Sequence, residues 1–224
     1  MDTPYVAIRL PSASSTQIEA RARFEGAPIL VVADRQTHGR GRAGAAWVTA
    51  DRALACSLAW EPDWDPASWP RIPLTAALAA RDVLGDRVGL SWPNDLVVAG
   101  AKVGGILVES DGAVVTAGLG VNLWWPDPLP GAAALHASDP GGEAAGRLAA
   151  GWASSLLARV ASAPDEWGHG EYVAASVTVG HEVTWEPDGE GRAVGIGHDG
   201  SLLVETAAGH TALNAGEVRR VRPR

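Results

Sequence analysis

Between Val88 and Leu123 the chain alternates short apolar runs with turn-forming residues, and that punctuation leaves few folds open. Val88–Trp92 reads as a strand, and Pro93-Asn94-Asp95 breaks it into a turn. Leu96–Val98 resumes, Gly100-Ala101 turns, and Lys102–Glu109 forms the next strand. Asp111-Gly112 is a tight hairpin signal that sends Ala113–Leu123 back alongside. Connections this short join antiparallel neighbours, because a parallel pair needs a long crossover. The central sheet is therefore expected to be largely antiparallel, and with the helices on either side the fold class is α+β.

Those helices are legible too. Thr16 with Glu19 forms a capping box that opens a helix, which Gly26 can close. Strands follow at Ile29–Ala33 and Leu54–Trp60. Leu74, Leu78, Arg81 and Val83-Leu84 lie on one stripe, predicting a helix over Ile72–Leu84 that ends at Gly85. Leu148, Trp152, Leu156 and Val160 predict a second one from Gly142 to Ala161. From Glu182 the texture changes to Val183–Trp185, Ala193–Gly197, Leu202–Thr206, Thr211–Leu213 and Val218–Val221, separated by turns. Five short strands in succession predict a small barrel appended to the main domain, dividing the chain into residues 1–176 and 177–224.

Composition narrows the function. A chain of 224 residues that is 46% hydrophobic can bury a real core. A net charge of −8 argues against a general nucleic-acid binder. A single cysteine, Cys56, cannot form an internal disulfide, which fits a reducing cytoplasm. The first residues, MDTPYVAIRLP, lack the apolar core of a signal peptide, and no apolar run approaches the roughly 18 residues of a membrane span. Of 18 basic residues only Lys102 is lysine, so a compact, mobile ammonium has been kept at one place in an arginine-rich chain.

The residues that could carry chemistry cluster in four stretches. In Asp34–Trp47, Gly39, Gly41 and Gly44 remove Cβ limits, and Arg40 and Arg42 between them are permanent cations whose planar forks suit phosphate or carboxylate. A flexible surface loop, an arginine–glycine RNA-binding segment and an anion clamp are the three readings of such a run; it is neither a Walker loop nor a dinucleotide fingerprint. Trp92-Pro93-Asn94-Asp95 places an amide and a carboxylate at a sheet edge. Lys102-Val103-Gly104-Gly105 and Gly118-Leu119-Gly120-Val121-Asn122 put glycines within strands, where a ligand or another backbone comes close.

Together, GRGRAGAAW at Gly39–Trp47, SWPNDL at Ser91–Leu96, KVGGILVE at Lys102–Glu109 and GLGVNL at Gly118–Leu123 resemble the four signature stretches of biotin protein ligases, in the same order and at similar spacing. The resemblance covers nearly the whole chain. It implies a core similar to class II aminoacyl-tRNA synthetases, a C-terminal SH3-like barrel, and a reaction in which biotin and ATP form biotinyl-adenylate before the biotinyl group passes to a lysine of a carrier domain. It implies that Ser15, Thr16, Gln17 and Gln36 hold biotin together with Arg40, Gly41, Arg42 and Lys102. It implies further that Gly39, Arg42, Trp47, Asn94, Lys102 and Asn122 meet the nucleotide. Arg40, Arg42, Lys102 and a magnesium ion would share the charge of the reacting phosphate, and Asp95 would orient the acceptor amine or take its proton. No metal site built by the protein is expected.

Two residues depart from the family pattern: Ser91 stands where lysine is common, and Gln17 where asparagine is usual. Fourteen residues precede Ser15, too few for the DNA-binding helix-turn-helix of some members, so neither DNA nor a membrane is an expected partner. Monomer and homodimer are both compatible with the chain. A lipoate ligase or octanoyl transferase is the alternative enzyme, and a non-catalytic biotin or adenylate binder the alternative from another class.

Overall fold

A computed structural model describes residues 3–215 and 221–223. Its centre is a seven-stranded sheet built from β1 (Val6–Leu10), β2 (Ile29–Ala33), β5 (Arg52–Trp60), β6 (Gly89–Ser91), β7 (Asp95–Val98), β8 (Ala101–Asp111) and β9 (Val114–Trp124). The strand order is β1-β2-β5-β9-β8-β7-β6. All neighbours are antiparallel except β1 and β2, so the sheet is mixed. The hairpins expected from β6 to β9 are present: Ala99 and Gly100 turn at φ 49° and 80°, and Gly112 at φ 61°. Between β2 and β5, the glycine–arginine loop forms a two-rung ladder of its own, β3 (Gly39–Arg40) against β4 (Ala46–Trp47).

The sheet separates two layers. On one face, α2 (Ile72–Leu84) and α3 (Glu143–Val160) pack on each other and on β5, β8 and β9. Both follow the predicted boundaries within a residue, because each carries an apolar stripe and α2 stops at Gly85, whose φ of 92° a side chain would resist. Trp152 and Leu156 of α3 are wholly buried, with Trp152 Nε1 donating to Ala76 O at 3.0 Å. The opposite face carries the short helix α1 (Thr16–Ala22), whose Ala20 packs on Ile29, Val31 and Ala59.

After α4 (His169–Ala175) come β10 (Glu182–Trp185), β11 (Gly189–Ile196), β12 (Leu202–Thr206), β13 (Gly209–Leu213) and β14 (Val221–Pro223). They form one antiparallel sheet in the order β13-β12-β11-β10-β14. The expected barrel is thus seen as an open five-stranded sheet, since β13 and β14 do not pair among the described residues. Most of the predicted strand Val218–Val221 lies outside the described residues; its last residue begins β14. The turn before β12 plugs into the main domain: the buried Trp92 indole donates to Gly200 O at 3.0 Å, and Arg71 and Trp167 both donate to His198 O at 2.9 Å.

Adjacent glycines on β8 have opposite tasks. A Cβ on Gly104 would stand 2.7 Å from the Gly120 carbonyl on the neighbouring strand, whereas one on Gly105 would meet nothing closer than 3.5 Å. Gly104→Ala is expected to cost about 1–3 kcal/mol through overpacking, and Gly105→Ala much less. Thermal unfolding of both variants checks this, and equal melting temperatures would contradict it.

Candidate active site

The register across three strands produces a bare floor. Gly105 of β8, Gly120 of β9 and Ala55 of β5 align in one row, and Leu107, Gly118 and Ser57 in the next. Because strand residues alternate faces, all six point away from the α2–α3 layer, toward α1 and the β3–β4 loop. Five of the six are glycine, alanine or serine, and a cavity of about 440 Å³ opens over them. A Cβ on Gly118 would lie 2.9 Å from Gln17 Oε1, and one on Gly120 would lie 3.2 Å from the Trp47 ring.

The inner end of the cavity is polar but uncharged. Thr16 Oγ1 lies 2.8 Å from Ser57 Oγ and donates to Gln36 Oε1 at 3.1 Å, while the Thr16 backbone N–H donates to the same oxygen at 2.9 Å. The expected capping box is therefore absent. Ser15, extended at φ −152°, takes the N-cap place, so Thr16 is already helical and its hydroxyl turns to β5. Gln36 serves the free N–H instead, and Glu19 pairs with Arg23. Gln17 Nε2 donates to Glu109 Oε2 at 3.2 Å, and its Oε1 is buried without a hydrogen-bond partner.

The outer part is charged. Arg40 forms a two-pronged pair with Glu109, at 2.8 and 3.1 Å. Arg42, in the 3₁₀ turn Arg42–Gly44, donates to Asn94 Oδ1 at 3.4 Å and to the Ala215 carbonyl. Burial pulls its guanidinium below the ordinary arginine range, and the charge of Asp95 opposes that. Lys102 Nζ lies 2.5 Å from Asp95 Oδ1 and 5.5 Å from the centroid of the Trp47 ring. Asn94 is fixed by donating from Nδ2 to Ile106 O at 2.9 Å. Arg40, Arg42 and Lys102 thus line the cavity against the carboxylates of Asp95 and Glu186, an arrangement suited to an anion.

Eleven of the thirteen residues singled out in the sequence line this one cavity, drawn from the start of α1, the loop, the turn before β7, and the first residues of β7 and β8. Gly39 and Asn122 do not. Gly39 faces Trp47 across the loop ladder. Asn122 is buried in β9, where Nδ2 donates to Ala133 O at 3.0 Å and ties down the connection that follows; its Oδ1 has no partner. Ser91 lies on β6 opposite Asp95, off the cavity wall. Sequence reasoning missed Ser57, Glu109 and Glu186. Ser57 carried a signal, as a lone hydroxyl in an otherwise apolar strand, and Glu109 another, as a carboxylate closing the glycine-bearing strand. Glu186 carried none.

Residues 10–123 match the model of the biotin/lipoate A/B protein ligase family, and residues 186–220 that of the biotin protein ligase C-terminal domain. The chain belongs to the biotin/lipoate A/B protein ligase family. The biotin–[acetyl-CoA-carboxylase] ligase of Paracoccus denitrificans is 32% identical over 218 residues, covering 84% of this chain and 88% of that one. The enzyme of the same name from Mycobacterium tuberculosis is 29% identical over 215 residues, covering 87% and 79%. Among solved structures, the biotin protein ligase of Aquifex aeolicus in complex with biotin and ATP superposes with a TM-score of 0.80 over 98% of this chain and 99% of that one, at 24% identity. At that identity the match speaks for the ligase fold.

Cys56 contributes backbone to the wall, but its side chain belongs to the core that β5 shares with α2 and α3. Burial pushes its thiol far above the ordinary range, so the thiolate is scarce at neutral pH. Alkylation by iodoacetamide at pH 8 is expected to be at least about a hundredfold slower in the folded protein than in urea. Comparable rates by intact-mass spectrometry would contradict this placement.

Proposed function

We propose that this chain is an ATP-dependent biotin–protein ligase, which converts biotin to biotinyl-5'-adenylate and transfers the biotinyl group to a lysine of a biotin carboxyl carrier domain. The observation that carries this reading is one cavity with an uncharged hydrogen-bonding end, a glycine floor and a mouth of three cations. Biotin has that shape: a neutral ring system at one end and a carboxylate at the other. Its carboxylate reaches the mouth, where Lys102 and the loop arginines also receive the α-phosphate of ATP.

Joining a carboxylate to a phosphate brings two anions together, so the work is charge neutralisation and alignment. Lys102, held by Asp95 and the Trp47 ring face, supplies a compact charge between them. Arg42, on the β3–β4 loop that acts as a lid over the reacting groups, adds a second, and Asn94 holds Arg42 in place. The mixed anhydride is hydrolysed readily, and the β3–β4 loop shields it from water. When the acceptor lysine arrives, Asp95 orients its amine beside the acyl carbon. Magnesium comes with the nucleotide and is held chiefly by its phosphates; among the described residues no three histidine, cysteine or acidic side chains form a metal site.

Residues 1–176 form the catalytic part, similar to a class II aminoacyl-tRNA synthetase core, and residues 177–224 an SH3-like domain whose Ala215 and Glu186 reach the active site. Ser91 leaves the site one cation short of the family pattern, which lowers rate or affinity without changing the reaction. Gly39 and Asn122 act on the nucleotide side through the backbone they position. With a net charge of −8 the protein is expected to leave DNA alone and to work in the cytoplasm, as a monomer or homodimer.

The first test is ATP–pyrophosphate exchange with magnesium: it should depend on biotin, and exchange driven by lipoate or octanoate instead would overturn the assignment. Lys102→Arg and Lys102→Gln are both expected to lose adenylation by about a hundredfold, as when one preorganised donor is removed. Normal exchange in Lys102→Gln, with folding confirmed by circular dichroism, would mean that the arginines suffice. Arg42→Ala should fold and still form adenylate, but release it, so that bystander proteins become biotinylated; retention as tight as in the parent would exclude the lid role.

A further inference from the structure

The amide of Gln17 has a fixed direction. Its Nε2 faces Glu109 Oε2 at 3.2 Å, Thr116 O at 3.3 Å and Leu107 O at 3.4 Å. All three are acceptors, so the nitrogen must face them and the oxygen must face away. Oε1 lies beside Gly118 and Ser57 on the cavity floor, buried and without a partner, in a residue only 6% exposed. A buried amide oxygen left in this state is costly unless whatever fills the cavity donates to it.

Two of the three acceptors are backbone carbonyls of β8 and β9, which no side-chain change can turn. The third is Glu109, and the same carboxylate takes both prongs of Arg40. Paired in this way it offers Gln17 acceptors only. A glutamine at 109 would bring an NH₂ group that competes with Nε2, and would leave only the two longer backbone contacts, at 3.3 and 3.4 Å, to set the direction of the Gln17 amide.

We propose that Glu109 is a positioning residue for ligand selection: it holds the Gln17 amide so that Oε1 accepts an N–H from the buried end of the ligand. This rests on the biotin reading above, since biotin's cyclic urea carries two N–H donors. An acyl ligand ending in a dithiolane or an alkyl chain would leave Oε1 unpaired and be rejected for that reason. Glu109 touches no reacting atom; it acts through Gln17.

A double-mutant cycle tests this. Biotin affinity is measured calorimetrically, without ATP, for the parent, Glu109→Gln, Gln17→Leu and the double variant, with thermal unfolding to confirm folding. Each single change is expected to weaken binding by roughly tenfold, as for a buried acceptor that loses its donor, and the double variant should be no weaker than Gln17→Leu alone. In pyrophosphate exchange the loss from Glu109→Gln should fall on the KM for biotin, with kcat within about twofold of the parent. Should Glu109→Gln not fold, Glu109→Asp, which withdraws the carboxylate from Gln17, takes its place in the cycle. Additive losses, or unchanged affinity in Glu109→Gln, would overturn the inference alone. A parent protein that binds no biotin would overturn the ligase reading and this inference with it.

Discussion

The active-site cavity exists because three antiparallel strands bring small residues into line, with Leu107 the one large side chain among them. Gly105, Gly120 and Ala55 share one row, and Leu107, Gly118 and Ser57 the next. A shift of one residue in either pairing would turn these positions into the α2–α3 core and raise Val121, Leu119 and Ile106 into the cavity. Register is held by what lies on the reverse face: Val103, Ile106, Leu119, Val121 and Leu54 are all buried in the main core. Burial at about 25 cal/mol per Å² of apolar surface makes that face costly to misplace, so the apolar side of the sheet determines the polar side. Gly104 belongs to this arrangement, since the Gly120 carbonyl comes closer to it than any Cβ allows.

Over that floor the charges are distributed in partnerships rather than left open. Lys102 has Asp95, Arg40 has Glu109, and Arg42 bridges Asn94 and Ala215, in the turn that follows β13. Lys102 and Arg40 remain partly exposed within their pairs, so little is gained by the pair itself. An incoming carboxylate or phosphate can therefore exchange partners with these side chains at small cost. The C-terminal sheet enters the same account. Its 197–201 turn is anchored under the buried Trp92 indole, one residue before the Pro93-Asn94-Asp95 turn that carries two site residues.

Much of this was legible in the chain because it is local. The β6–β9 hairpins follow from turn residues two or three apart, and α2 and α3 from apolar stripes, so their boundaries agree with expectation. The first strand was not legible: β1 lies at the sheet edge, half-exposed, and pairs in parallel with β2 across a helix, so neither alternation nor a tight turn betrays it. Thr16 and Glu19 have the spacing of a capping box, yet a helix that starts one residue earlier sends Thr16 to Ser57 and lets Gln36 take its place. The glycine motifs marked the site, but which glycine faces the ligand depends on register. For that reason Ser57, on the cavity floor, and Glu109, which reaches Gln17 from two strands away, emerged only from the structure. Four of the five expected C-terminal strands are strands in the structure, the fifth lying mostly outside the described residues, and whether such strands close into a barrel is not a local property.

The defining property of this cavity is that it hands an acyl group to a lysine. The direct measurement is intact-mass and peptide mass spectrometry of a biotin carboxyl carrier domain incubated with the protein, biotin, magnesium and ATP. The expected result is a single biotinyl group on one lysine, formed only when ATP is present, with no lipoyl group transferred under the same conditions. An unmodified carrier domain, or one that takes lipoate in place of biotin, would contradict it.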